Sequence, residues 1–422
     1  MTSQQLPGPL EGVLLLETGT ELGAWCGKLL ADMGARVIKV EPPSGERSRA
    51  YEPFHQDRPG VNNSLFFWHY NTSKLSITVD LETARGQALF RHLAERADGI
   101  IDSNDPGHLD KLSLGYSALS RVTPRLVMAG ITPFGQDGPY RKYATTDLTA
   151  IAFGGPAWSC GYDDHSIPPV RGGGNQAYHT VCHFAVMGVL IALLHREVSG
   201  RGQYIDANMH AALNVTTEGA SYSWLVARQT VQRQTGRHAG VQPSPPVQVQ
   251  CADGRYMNVG LPARSEEQWH SLLAWLDEEG LLGGMGDYLS PPSREAMQRG
   301  DPAAVEQRRR VSECIAALAR KSNAYDLFRK AQSLGFQWGI IYAPEEVLDD
   351  PHFQARGFPT KVEHPELGRS FVYPGAPYQF KASPWRIRRR APLLGEDNAE
   401  VYGALLGLTR EEMADLKSAR VI

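Results

Sequence analysis

Carboxylates, a histidine pair and glycine-rich turns are the features of this chain that can do chemistry. His179 and His183 stand four apart where an apolar run begins, a spacing that puts both on one helix face and fits a metal pair. No third ligand stands near them, so pocket or core histidines fit better, with His179 a candidate acid or base. Asp147, in TTDLTAIAFGG, opens a helix pattern and reads either as its N-cap or as an acid facing a pocket. Asp163 and Asp164 lie in GYDDHSIPPVR, a solvated turn composition. The cysteines, Cys26, Cys160, Cys182, Cys251 and Cys314, are odd in number and form no CxxC. Free thiols in a reducing compartment follow, and no metal site is expected.

The elements that position these groups alternate. Val13–Leu16 reads as a strand, Ala24–Met33 as a helix and Val37–Val40 as a second strand stopped by Pro42-Pro43. A β-α-β unit this short predicts a parallel sheet of Rossmann type. Further strands are predicted at Ser76–Leu81, Gly99–Asp102 and Leu126–Ile131, with a helix over Thr83–Ala97 and alternation to Asp206. No GxGxxG follows the first strand, so the dinucleotide fingerprint is missing. Beyond a loop at Thr235–Val249, a strand at Arg255–Gly260 and helices at Glu266–Leu276 and Ala324–Leu334 suggest a smaller domain. Pro344–Arg390, rich in Pro and aromatics, reads as a long crossing segment.

With 422 residues the chain exceeds one ordinary core. Its net charge of −3 gives no electrostatic case for nucleic acid or an anionic membrane. The longest apolar run, Phe184–Leu194, is too short to span a bilayer, and the N-terminus has no signal-peptide pattern. A cytoplasmic location is expected.

Four segments taken together carry a resemblance: Gly34–Pro43 (GARVIKVEPP), Phe134–Tyr140 (FGQDGPY), His183–Asn208 (HFAVMGVLIALLHREVSGRGQYIDAN) and Ala391–Glu396 (APLLGE). In this order and spacing the chain resembles the class III CoA-transferases, the CaiB/BaiF type that includes formyl-CoA transferase and the α-methylacyl-CoA racemases. The resemblance implies an α/β fold: a Rossmann-like parallel sheet in a large domain over 1–215 and 355–422, a smaller inserted α+β domain over 230–335, and linkers at 216–229 and 336–354. It also implies an interlocked dimer, and coenzyme A or acyl-CoA as substrate with no tightly bound cofactor.

In that family the nucleophilic Asp stands ten residues before the Gly that matches Gly188. Here this position is Tyr178, with Ala177 and His179 beside it. A phenol with an ordinary pKa near ~10 is a poor acyl carrier at neutral pH. Asp147 matches a second acidic position, and Tyr178, His179 and Asp147 are the candidate catalytic residues. In racemases a His precedes that second acid; here it is Thr146. For CoA the resemblance implies Glu21 and Leu22 after the first strand, Val79, Asp80, Leu81 and Glu82 after the third, then Ser103, Asn104 and Asp105, and Lys111 for a phosphate. Some members are heteromers in which one chain keeps the Asp. The missing carboxylate therefore points to a non-nucleophilic subunit paired with an Asp-bearing paralogue. A stand-alone CoA-transferase, or an isomerase or racemase acting through Asp147 or His179, is the alternative.

Overall fold

The structure, a computed structural model, describes residues 6–259, 263, 265–283 and 290–422. The chain forms two compact units. One holds the chain up to Gly155 with Gly173–Thr216 and Leu348–Ile422; the other holds Pro156–Gly172 and Thr217–Val347.

The first unit is built on β1 (Leu14–Gly19), α1 (Ala24–Asp32), β2 (Arg36–Glu41), α2 (Leu65–Tyr70), β3 (Leu75–Thr78), α3 (Ala84–Ala94), β4 (Gly99–Ser103), α4 (His108–Lys111), α5 (Tyr116–Leu119), β5 (Val127–Thr132), α6 (Asp147–Gly154), α7 (Gln176–Ser199), β6 (Tyr204–Asn208) and α8 (Met209–Asn214). The six strands form one parallel sheet in the order β3-β2-β1-β4-β5-β6. Leu15, Leu16, Val37, Ile38, Ile100 and Ile101 are buried, as strands covered on both faces require. Pro42 and Pro43, which cannot prolong a ladder, follow the last residue of β2. The third strand is shorter than predicted. It ends at Thr78, and Asp80 and Thr83 make the turn: Asp80 accepts from Glu82 N at 3.0 Å and Thr83 caps α3. Val79–Glu82 thus lie in a loop past the carboxyl end of the strand, not within it.

Helix α7 has 24 residues, twice the length of the apolar run read from sequence, because His179, Thr180 and Arg196 continue its pattern. It is long and apolar enough to cross a membrane by length and composition. Val181, Ala185, Val189 and Ala192 on one face are buried, whereas Phe184, Met187, Ile191, Leu194 and Val198 form an exposed apolar stripe on the other.

The second unit contains α9 (Glu218–Tyr222), a hairpin of β7 (Gln232–Gln234) and β8 (Arg237–Gly240), and an antiparallel sheet of β9 (Gln248–Gln250), β10 (Tyr256–Asn258) and β11 (Gly339–Ile340). Helices α10 (Glu266–Glu278), α11 (Arg294–Gln298), α12 (Pro302–Lys321), α13 (Ala324–Ser333) and α14 (Pro344–Val347) complete it. Trp269, Leu272, Trp275, Ile315, Leu318 and Trp338 centre its core. Gly260, the predicted end of a strand, lies outside the described residues.

The tail returns to the first unit. It carries α15 (Pro351–Ala355), an antiparallel hairpin of β12 (Pro359–His364) and β13 (Arg369–Pro374), α16 (Asn398–Leu406) and α17 (Arg410–Ser418). The hairpin departs from the expected featureless crossing segment: Gly368, at φ 61, turns the chain between two runs that pair in register. The last segment then closes the outer edge of β3. The Asp397 carboxylate accepts from Ser76 N at 2.8 Å, the Asn398 side-chain oxygen accepts from Thr78 N at 2.8 Å, and Asp397 N donates to Ser76 O at 3.0 Å. Edge amides that would otherwise invite a foreign strand are satisfied.

Candidate active site

In a sheet of this order the connections leave β1 and β4 in opposite directions, opening a crevice at the carboxyl ends of the strands. Gly19 permits the close approach there. Its φ is +106, and a Cβ would lie 2.5 Å from the Ser103 carbonyl carbon. Ser103 Oγ ties the two ends by accepting from Thr20 N at 2.9 Å. A crevice of about 300 Å³ lies beside this junction, lined by Gly19, Thr20, Pro42, Arg47, Val79, Asp80, Leu81, Glu82, Asn104 and His108, among others. Its charges are mixed. Glu41 in its wall is held by Arg49 at 2.6 Å, and the Arg47 guanidinium is half free.

Next to the lining residues Thr18 and Val40, Glu17 and Lys39 belong to a buried ionic network. Glu17 receives Lys39 Nζ at 2.9 Å and Lys74 Nζ at 2.7 Å, and Lys74 also donates to Ala24 O and Asn71 Oδ1 at 2.8 Å. Charges this deep are tolerable only when paired, as both lysines are with Glu17.

Tyr178 and His179 stand on the first turn of α7. Asp147 reaches them from the start of α6, but not as that helix's N-cap, which is Thr146 with a capping box to Thr149. The buried Asp147 carboxylate instead accepts from Ala177 N at 2.8 Å, capping α7. In return the Asp147 backbone hydrogen-bonds to the Tyr178 hydroxyl. The two helix starts cap each other. Burial, with the neighbouring Glu21 carboxylate, pushes the Tyr178 phenol up to about 12, while Arg47 pulls the other way.

Glu21 is buried beside Tyr178. Arg47 Nε donates to it at 2.7 Å and Nη2 at 2.8 Å, and the Tyr51 hydroxyl at 3.2 Å. His179 faces aromatic neighbours: Trp25 at 4.6 Å between ring centroids, and Tyr70, whose hydroxyl lies 2.9 Å from His179 Nε2. Burial and the neighbouring His183 lower the His179 pKa, favouring the neutral ring.

Asp147, Tyr178, His179 and Glu21 therefore converge. Val79, Asp80, Leu81, Glu82 and Asn104 line the crevice. Leu22 is buried, its carbonyl accepting from Cys182 Sγ at 3.0 Å. Ser103 braces the strand ends, Asp105 O accepts from His108 N at 2.9 Å, and Lys111 stands outside the crevice lining. Arg47, Tyr51, Trp25 and Tyr70 were missed in the sequence. Arg47 had a signal: it follows Pro42-Pro43 in the loop after β2, where this topology collects ligands. The aromatic residues had none, since they meet only once α2 folds against α1 and α7. Among the described residues no group of three or more His, Cys, Asp or Glu could hold a metal ion.

Residues 10–398 match CoA-transferase family III. The chain belongs to that family. Its members handle CoA thioesters as substrates. The chain is 33% identical over 389 residues to the succinyl-CoA:(R)-benzylsuccinate CoA-transferase subunit BbsE of Thauera aromatica, covering 90% of each. It is 32% identical over 425 residues to succinyl-CoA–D-citramalate CoA-transferase of Chloroflexus aurantiacus, covering 100% of each. A CaiB/BaiF family protein from Brucella suis superposes with a TM-score of 0.77 at 26% identity, covering 94% of this chain and 100% of that one.

Proposed function

We propose that this family III chain is the non-nucleophilic subunit of a heteromeric CoA-transferase, binding a carboxylic acid and its CoA thioester beside a paralogous, Asp-bearing subunit. The observation that carries the reading is the occupant of position 178: a phenol held near pKa 12, with both neighbouring carboxylates committed, Asp147 to the α7 terminus and Glu21 to Arg47 and Tyr51. The subunit status of the Thauera relative supports it. We place CoA in the crevice lined by Val79–Glu82 and Asn104, as a substrate and not a resident cofactor. The exposed apolar stripe of α7 supports an interlocked dimer, and a cytoplasmic location is proposed with it.

In the transfer itself, the Asp carboxylate of the partner subunit attacks the thioester carbonyl and expels CoA thiolate, leaving a mixed anhydride. The thiolate then attacks the Asp side of the anhydride, releasing the first acid and forming an enzyme–CoA thioester. An acceptor carboxylate reverses the sequence. A neutral Tyr178 cannot enter this cycle.

The alternative, catalysis by this chain alone through Asp147 or His179, requires either group to leave the partners just described. One experiment separates the readings. The chain is assayed for CoA transfer from succinyl-CoA alone and with the paralogue, with hydroxylamine trapping and peptide mass spectrometry. The expected result is no adduct alone and activity with the partner. An adduct on Asp147, lost in Asp147→Asn, would overturn it. Tyr178→Asp is expected to give the chain measurable transfer activity of its own, which would show that only the nucleophile was lost.

A further inference from the structure

Arg47 does something no other residue at the site does: it is anchored on one edge and open on the other. Its Nε and Nη2 both serve the buried Glu21, yet the side chain is 60% exposed, and among the described residues Nη1 has no protein partner. Arg49, two residues on, shows the contrast: Nε and Nη2 take Glu41 while Nη1 takes Val61 O and Asn62 Oδ1, so its donors are spent inside the protein. Arg390 shows that one guanidinium can hold two carboxylates at once, with Nε on Glu366 at 2.7 Å and Nη1 and Nη2 on Glu396 at 2.8 and 2.9 Å. The planar fork makes such double use possible, whereas an ammonium lacks the geometry. Arg47 holds one carboxylate, keeps Nη1 unused among the described residues, and is one of the residues that line the crevice. Glu21 fixes its direction and removes the entropy cost of ordering a long side chain.

We propose that the free edge of Arg47 receives the distal carboxylate of a dicarboxylic acyl group, so that this subunit selects dicarboxylic over monocarboxylic CoA thioesters. The inference rests on the proposal that CoA thioesters bind in this crevice. The guanidinium lies near enough to position 178 for its charge to act on the phenol, where the acyl end of a thioester would lie.

Calorimetry with the full chain, comparing succinyl-CoA with butyryl-CoA, which has the same chain length but no second carboxylate, tests it. A charge-assisted pair is expected to make succinyl-CoA bind about tenfold tighter or more. In Glu21→Gln with Arg47→Met, which removes both charges together and leaves no orphaned carboxylate, the ratio should fall to within about twofold. Arg47→Lys alone, which leaves Glu21 paired, should give an intermediate ratio and serves if the double variant does not fold. Equal affinities in the parent chain, or a ratio unchanged in the variants, would overturn the selection while leaving CoA binding in place. Failure of both thioesters and of CoA itself to bind the parent chain would remove the crevice assignment and the selection with it.

Discussion

The side chain of Asp147 is spent on the backbone of another helix, and that has a measurable cost when removed. Asp147→Ala should destabilise the first unit by about 1–2 kcal/mol, the range for a lost helix cap, and Asp147→Asn by less, because the amide oxygen still accepts from Ala177 N. Urea melts of the two variants check it. His69 gives a second residue-scale expectation. Burial, with Lys28 and His179 nearby, pushes its pKa down to about 4 from an ordinary 6.5. Above pH 6.5 both folded and unfolded states are neutral and its contribution is full. As pH falls below that, the unfolded chain takes up a proton the folded one refuses until about 4, so roughly 2–3 kcal/mol is lost across that window. Thermal melts against pH should show this slope, and His69→Gln should flatten it. At this scale the sequence was partly legible. Motif spacing located Asp147 and Tyr178, but not what they bond to, because the cap on α7 comes from a residue 30 positions away.

At the scale of elements, the tightest constraint is where α1 passes over Glu17. A Cβ on Gly27 would lie 1.6 Å from Glu17 Oε2. Gly27→Ala must therefore push the carboxylate off Lys39 and Lys74 or lift the helix. Disturbing a buried charge pair is expected to cost about 3–5 kcal/mol, read as a drop in the denaturation midpoint. The alternation of strands and helices through β6 was readable because strands buried on both faces are continuous apolar runs. Two features escaped. Helix α2 (LFFWHY) is apolar on all sides and only six residues long, so it shows no period. The β12–β13 hairpin alternates weakly, since much of it is exposed.

At the largest scale, the first unit is held together by its last segment. Tyr402, fully buried, donates to Thr78 O at 2.7 Å, and Val401 and Leu416 join the same core as Ile38 and Ile77. Neither composition nor periodicity could announce that residues some 320 positions apart share one edge; only the resemblance carried it. If the chain forms the interlocked dimer proposed above, light scattering at micromolar concentration should give twice the chain mass, with itself or with the paralogue, and a monomer would count against it.

The closure of β3 by Asp397 and Asn398 also sets a timetable. A ribosome adding about 5–20 residues per second needs roughly 15–60 s to travel from the strand to the residues that seal it. Throughout that interval the β3 edge of the nascent sheet stays open. Growing chains on the same messenger carry the same open edge. A chain ending at Arg390 never leaves that state, and should be recovered with chaperones or in inclusion bodies, while the full-length chain is not.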